Sequence, residues 1–111
     1  MIKRYTTLLF AVVLIASSAI AQKASTRMGD LYFKQFDFKK AIEYYSAAIK
    51  KDSSQSYVRQ QIADSYRLLN DWQNAEPWYK LLAQDQTTNP INKMYYAEAL
   101  RANQKYAEAK L

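Results

Sequence analysis

The sequence has no cysteine and no histidine among its 111 residues. The lack of cysteine excludes disulfides, thiol nucleophiles, thiolate metal sites and a lipid-modified N-terminal cysteine. The lack of histidine removes the commonest metal ligand and the usual general base. One glycine and two prolines argue against a many-stranded β fold and a glycine-rich phosphate loop. We expect no bound metal and no cofactor, and any catalysis would have to use carboxylate, Lys, Ser/Thr or Tyr side chains.

The N-terminus has the three parts of a secretory signal peptide, which we predict to span residues 1–21. Lys3 and Arg4 give a positive start, residues 8–16 form an apolar run, and residues 19–21 (AIA) match a signal-peptidase site. A transmembrane helix needs about 20 apolar residues, and this run is much shorter. An uncleaved membrane anchor is the alternative interpretation.

Charge does not indicate a nucleic-acid partner. The chain carries 16 Lys and Arg against 10 Asp and Glu, and outside the first few residues the two signs alternate. Alternation is typical of a solvated helical surface, whereas nucleic-acid binding favours basic blocks. The lysines are also too widely spaced to form a basic amphipathic helix for membrane binding.

A 34-residue internal repeat organises the rest of the chain. Six rows of matched side chains recur at this spacing: Phe38, Trp72 and Tyr106; Ala41, Ala75 and Ala109; Gly29, Ala63 and Ala97; Tyr32, Tyr66 and Leu100; Met28, Ile62 and Tyr96; and Tyr45 with Tyr79. The repeats are residues 22–55, 56–89 and 90–111, and the last is truncated.

Each repeat has the pattern of two helices, because its apolar residues fall at helical spacing on either side of a short polar break. Asp37 and Asp71 stand where the second helices need N-caps. Pro90 suits the first turn of the third pair, and Pro77 is expected to bend or delay the second helix of repeat two. The small-residue rows predict close approach between the paired helices, with Gly29 facing Ala41.

The chain resembles the tetratricopeptide repeat (TPR) family in its 34-residue period, its small-residue rows and the motif Ala41-x-x-x-Tyr45-x-x-Ala48, which returns as Ala75-x-x-x-Tyr79-x-x-Leu82. The resemblance implies an all-α fold: two full repeats and one truncated repeat in a right-handed α-solenoid, a TPR domain over residues 22–111. The family's early Trp is absent.

A narrower resemblance is to the N-terminal TPR segment of OmpA-family cell-envelope proteins of Gram-negative bacteria. The segments AIEYYSAAIKKD, ADSYRLLNDWQNAEPWYKLLAQD and YYAEALRANQKYAEAK carry it. It implies an exported, periplasmic protein, associated with the outer membrane through peptidoglycan-binding parts that this sequence does not contain.

The first helices of a TPR array line a groove that binds partner segments, so the resemblance places a row of acidic residues there. We define the candidate groove as Asp30, Phe33, Tyr57, Asp64, Arg67, Met94, Tyr95, Glu98 and Arg101. The acids either select a basic partner or pair with the arginines three residues on. The positions of a carboxylate-gripping clamp hold Thr26, Asp30, Gln61, Ile91 and Tyr95, none of them cationic, so a chaperone-tail ligand is not expected.

The predicted function is an exported, non-enzymatic TPR scaffold that binds a protein or peptide in the cell envelope. The alternatives are a stand-alone periplasmic peptide-binding module and a cell-wall hydrolase using the Asp30, Asp64 and Glu98 carboxylates. Residues 106–111 provide too short a second helix for repeat three. The sequence therefore also predicts a longer protein, or self-association through an uncapped C-terminal face.

Overall fold

The computed structural model describes residues 2–105 and 108, and in that part of the chain the regular structure is entirely α-helical. The helices are α1 (Ile2–Lys34), α2 (Phe38–Lys51), α3 (Ser56–Leu68), α4 (Trp72–Gln84) and α5 (Ile91–Ala102). Each helix packs against the next one along the chain, from α1 with α2 to α4 with α5. The all-helical expectation is confirmed, whereas the right-handed superhelix and the repeat boundaries stay predictions.

The turn inside each repeat closes in the same way, at positions that follow the 34-residue period. Phe36, Asn70 and Gln104 all have positive φ, of 61°, 57° and 63°. In the first turn the Asp37 amide donates to the Tyr32 carbonyl at 2.9 Å and the Phe36 amide donates to the Phe33 carbonyl at 3.0 Å. These two bonds form the Schellman motif, and both later turns repeat it. No glycine occupies any of the three left-handed positions.

The predicted N-caps are confirmed at the starts of α2 and α4. The Asp37 carboxylate accepts from the Lys40 amide at 3.2 Å, and the Asp71 carboxylate accepts from the Asn74 amide at 3.3 Å. These bonds satisfy amides that have no partner within the first turn of a helix. Pro90 was predicted in the first turn of the third pair and stands one position earlier, as the N-cap of α5, with a helical φ of −54°. Pro77 lies inside α4, which begins at Trp72, so the expected delay of this helix is wrong.

The core contains two apolar clusters, one between α2 and α3 and one between α3 and α4. In the first cluster Ala41, Tyr45 and Ala48 of α2 are buried against Val58 and Ile62 of α3. In the second, Ala63 of α3 is buried with Ala75, Tyr79 and Leu82 of α4. Ala41, Ala63 and Ala75 therefore lie at helix contacts, as predicted, whereas Ala109 lies outside the described residues.

Gly29 faces a different partner from the one expected. A Cβ atom at this position would lie 2.5 Å from Cε1 and 2.6 Å from Cδ1 of Tyr45. The ring of Tyr45, one turn beyond Ala41 on α2, occupies this space. The glycine therefore makes room for the buried ring of Tyr45 rather than for a close contact with Ala41.

The region predicted as a signal peptide continues the first helix of repeat one without interruption. Large apolar side chains on this stretch are highly exposed, among them Leu8, Leu9, Phe10, Val12, Val13 and Ile20 at 62–70%. Within residues 2–105 and 108, no helix is long and apolar enough to cross a membrane. The short second helix predicted for repeat three falls on residues 106–111, which lie outside the described residues except for Glu108.

Candidate partner-binding groove

Asp30 of α1 is tied to two tyrosines. The Tyr45 hydroxyl donates to Asp30 Oδ1 at 2.5 Å, and the Tyr57 hydroxyl donates to the same oxygen at 2.8 Å. Tyr45 comes from α2 and is fully buried, whereas Tyr57 comes from α3 and is 54% exposed. Gln61 Nε2 also donates to the Tyr45 hydroxyl at 3.2 Å. One carboxylate thus links three successive helices.

Asp64 of α3 repeats this arrangement at the equivalent position of the second repeat. The hydroxyl of the buried Tyr79 donates to Asp64 Oδ1 at 2.5 Å, and Gln60 Nε2 donates to the same oxygen at 3.2 Å. The Arg67 guanidinium lies 3.6 Å from this carboxylate and donates through Nε to the Tyr79 hydroxyl at 2.9 Å. Three hydrogen bonds and an ion pair therefore fix the side chains of Asp64 and Arg67.

Burial and hydrogen bonding to a carboxylate raise the pKa values of these tyrosines. Burial, together with the bond to Asp30, raises the pKa of Tyr57 to about 12. Burial and the bonds to Asp30 and Asp64 also raise the pKa values of Tyr45 and Tyr79. The neutral phenol is the donor in each bond, and ionisation would place a second negative charge beside the carboxylate.

The acidic row is therefore not a free column of charge. Asp64 pairs with Arg67, which was one of the two alternatives drawn from the sequence. Asp30 is instead an acceptor for tyrosines, and no ion pair joins Glu98 to Arg101, although the structure describes both residues. The sequence did not predict the tyrosine bonds, since their partners lie 15 residues apart on different helices.

A cleft lies between α3 and α5. It has a volume of about 350 Å³ and is lined by Gln60, Asp64, Arg67, Asn89, Ile91 and Tyr95. The Arg67 guanidinium carbon lies 4.3 Å from the centre of the Tyr95 ring, a distance typical of a cation–π contact. Ile91 is 40% exposed at this cleft. We call this feature the α3–α5 cleft.

A reciprocal amide pair holds α3 and α5 together beside the cleft. Gln60 Nε2 donates to Asn92 Oδ1 at 2.9 Å, and Asn92 Nδ2 donates to Gln60 Oε1 at 2.8 Å. Asn92 is fully buried, so both of its polar atoms need a partner. The sequence did not predict this pair, because its members are 32 residues apart and do not follow the 34-residue period of the repeat.

The structure brings only part of the candidate groove together. Asp64, Arg67 and Tyr95 meet at the α3–α5 cleft, and Asp30 and Tyr57 are joined by their hydrogen bond. Phe33 instead packs against the first core cluster, with its ring 5.2 Å from that of Phe38. Met94 lines a different cavity, Arg101 is exposed and Glu98 is half-buried.

Metal ligands do not cluster in the described ranges. Across residues 2–105 and 108, no group of three or more Asp or Glu side chains is close enough to hold an ion. The described surface around α3 and α5 is instead composed of aromatic rings, amides and paired charges. Such a surface suits recognition of another chain, because aromatic residues and arginine are enriched in interface cores.

The family model of tetratricopeptide repeat protein 21, fourth ARM domain, matches residues 24–108. No curated protein sequence matches the chain. The family match confirms the expected helical repeat domain, while the narrower resemblance to OmpA-family proteins stays a prediction. With stacked helical pairs, repeated turns and a match over most of its length, the chain belongs to the family of the fourth ARM domain of tetratricopeptide repeat protein 21.

Proposed function

We propose that the protein is a non-enzymatic scaffold that binds a segment of another protein across α1, α3 and α5. The observation that carries this proposal is the α3–α5 cleft, where the exposed Ile91 and the Tyr95 ring adjoin side chains fixed by hydrogen bonds. A rigid surface loses little conformational entropy on binding, which favours affinity. Helical repeat domains present surfaces of this kind to their partners.

The chemistry of the cleft favours an apolar or aromatic partner segment. Asp30 and Asp64 already accept hydrogen bonds from tyrosine hydroxyls, and Arg67 is paired with Asp64. A basic ligand would therefore have to compete with contacts inside the protein. The exposed side chains of Ile91 in the cleft and of Tyr57 beyond it, at 40% and 54%, offer aliphatic and aromatic contact area instead.

The same bonds argue against a hydrolase. A catalytic carboxylic acid needs an apolar pocket that raises its pKa, whereas Asp64 is held by an arginine, a glutamine and a phenol. Asp30 is held by two phenols. We therefore propose binding without catalysis.

A peptide library displayed on phage and selected on the full chain tests the binding proposal. We expect enrichment of peptides rich in aromatic and aliphatic residues, and loss of their binding in Ile91→Asp. Leu81→Asp is the matched control, since Leu81 is a similarly exposed apolar residue on α4, at 48%. Equal loss in both variants, or no selected peptide that depends on Ile91, would refute the proposal.

We further propose that the scaffold acts in the bacterial cell envelope after export, as a periplasmic module of the OmpA-like kind or a stand-alone peptide-binding protein. The proposal is supported by the three-part pattern of residues 1–21 and by the exposure of large apolar side chains there, at 62–70%. N-terminal sequencing of the protein expressed in a Gram-negative host should read Gln-Lys-Ala-Ser. An intact N-terminus on cytoplasmic protein would contradict export. It would not affect the binding proposal, which the peptide library tests separately.

A further inference from the structure

The junction between α1 and α3 provides an internal template for the α3–α5 cleft. At this junction Asp30 accepts hydrogen bonds from the hydroxyl of Tyr45 at 2.5 Å and from the hydroxyl of Tyr57 at 2.8 Å. Tyr57 lies in the first turn of α3, so its hydroxyl links α3 back to α1. A phenol thus joins the first helices of two neighbouring repeats.

The equivalent junction between α3 and α5 lacks the second phenol. Asp64 and Ile91 follow Asp30 and Tyr57 by one 34-residue period. Tyr79 makes the first hydrogen bond, to Asp64 at 2.5 Å, but an isoleucine side chain has no group that could donate the second. Asp64 and Ile91 both line the α3–α5 cleft, which has a volume of about 350 Å³. The cleft therefore lies where the α1–α3 junction has the ring of Tyr57.

Asp64 keeps one carboxylate oxygen available at this cleft. The bonds from Tyr79 and Gln60 and the ion pair with Arg67 all go to Oδ1. Within residues 2–105 and 108 no donor reaches Oδ2, and the Asp64 side chain is 19% exposed. An ionised carboxylate has about four acceptor sites. Asp64 can therefore accept a further hydrogen bond without losing its present contacts.

The charge of the cleft favours a neutral donor. The Arg67 guanidinium lies 3.6 Å from Asp64 and stacks over the ring of Tyr95. This cation offsets the charge of Asp64 and would repel a lysine or arginine side chain of a partner. Ile91 and Tyr95 supply apolar walls, which suit an aromatic ring. An uncharged aromatic side chain with a hydroxyl group meets both conditions.

We propose that the α3–α5 cleft recognises a tyrosine side chain of the partner segment. The tyrosine ring lies against Ile91, and its hydroxyl donates to Asp64 Oδ2, as the hydroxyl of Tyr57 donates to Asp30. This preference rests on the proposed function, because it concerns the residue that the same groove selects. Apolar contact alone would not distinguish tyrosine from phenylalanine, whereas the carboxylate does.

Substitutions of Ile91 test the geometry without a ligand. Ile91→Tyr introduces the side chain that Tyr57 provides one repeat earlier, and Ile91→Phe introduces the same ring without the hydroxyl. Ile91→Tyr should melt several degrees above Ile91→Phe, because only its hydroxyl can bond to the Asp64 carboxylate. Leu81→Tyr and Leu81→Phe are the matched controls on α4, where Leu81 is 48% exposed, and should melt alike. Equal melting temperatures for the two Ile91 variants would overturn the proposal.

Peptides measure the preference directly. The probes are two phage-displayed libraries with identical random flanks and one fixed central residue, tyrosine in the first and phenylalanine in the second. We expect the tyrosine library to yield peptides that bind the full chain and lose binding in Ile91→Asp. Synthesised with phenylalanine in place of tyrosine, these peptides should bind about tenfold more weakly in fluorescence anisotropy. Ile91→Tyr should abolish their binding, whereas Leu81→Tyr should bind them like the unaltered protein.

The results distinguish loss of the tyrosine preference from failure of the groove. Ile91-dependent peptides that bind equally well with phenylalanine would overturn the choice of tyrosine and leave the proposed function standing. If neither library yields an Ile91-dependent peptide, both proposals are refuted. Tyrosine-dependent peptides that still bind Ile91→Tyr would place the phenol elsewhere and overturn its assignment to Asp64.

Discussion

Gly29 is the one glycine of the sequence, and it lies inside a helix. Alanine normally stabilises an exposed helix interior relative to glycine by about 0.5–1 kcal/mol. Here the added Cβ would lie 2.5 Å from Tyr45 Cε1, so the buried ring would have to move. We predict that Gly29→Ala destabilises the fold by about 1–3 kcal/mol, measured by urea unfolding.

Ala47→Gly is the matched control for Gly29→Ala. Ala47 is exposed in the middle of α2, so this change reports helix propensity alone, at about 1 kcal/mol. A Gly29→Ala variant that is more stable than the unaltered protein would show that α1 and α2 can separate without cost.

Tyr79 makes the bond that is central to repeat two. Its hydroxyl donates to Asp64 at 2.5 Å and accepts from Arg67 at 2.9 Å. We predict that Tyr79→Phe lowers the unfolding free energy by about 1.5–3 kcal/mol, since both of its partners are charged. Tyr66→Phe is the control, because the Tyr66 hydroxyl bonds to no described residue. Equal stability of the two variants would contradict a structural role for the Tyr79 bond.

The raised pKa values predict a loss of stability in alkali. Folded Tyr57 keeps its proton to about pH 12, whereas an ordinary tyrosine loses it near 10.0. Above pH 10 the folded state therefore binds more protons than the unfolded state. The contribution of Tyr57 to the free energy of unfolding is complete below pH 10 and declines as the pH rises towards 12. Tyr45 and Tyr79 shift in the same direction.

Urea unfolding between pH 8 and 11 measures this effect. The unaltered protein should lose stability more steeply above pH 10 than the double variant Tyr45→Phe/Tyr57→Phe, which lacks two of the groups concerned. Parallel curves for the two proteins would show that other groups cause the alkaline transition.

At the scale of the elements, the turn of repeat one is closed by a residue that is poorly suited to it. A left-handed conformation costs a residue with a Cβ about 1–2 kcal/mol relative to glycine. Phe36 has φ of 61° and is 81% exposed, so little burial would be lost on replacement. We predict that Phe36→Gly stabilises the protein by about 1 kcal/mol, which a thermal melt would detect as a rise of several degrees.

Lys34→Gly is the counterpart of Phe36→Gly two residues earlier. Lys34 is the last residue of α1 and has no positive φ, so glycine there should destabilise the fold. If both variants lower the melting temperature, the contact of the Phe36 ring with Phe38, at 6.2 Å, outweighs the backbone strain.

The whole molecule is elongated. Its principal extents are 65 × 30 × 20 Å and its radius of gyration is 18.0 Å, against about 13 Å for a compact domain of this length. α1 accounts for much of this shape, because a helix of 33 residues is about 50 Å long. The N-terminal half of α1 therefore adds length and exposed apolar surface to the molecule.

Removal of residues 2–21 should therefore leave the fold intact. We predict that the truncated chain has an unfolding free energy within about 0.5 kcal/mol of the full chain, the range usual for surface changes. It should also aggregate less, because Phe10 and its apolar neighbours are lost. A truncated chain that unfolds at a much lower urea concentration would show that the N-terminal half of α1 stabilises the repeats.

The sequence by itself determined the local features of this protein. The 34-residue rows predicted the helical pairs, Asp37 and Asp71 predicted the caps, and Gly29 and Ala63 predicted close helix contacts. Capping, periodicity and helix contacts depend on residues near one another in the chain, or on a spacing that repeats. Such features can be read from the order of amino acids alone.

Only the tertiary structure decided how the polar side chains are used. The sequence placed Asp30 and Asp64 in a row, but not against the hydroxyls of Tyr45 and Tyr79, nor did it pair Gln60 with Asn92. These bonds join different helices and depend on the angle and register at which the helices pack. Packing also left Glu98 without a described partner, because no tyrosine within residues 2–105 reaches it.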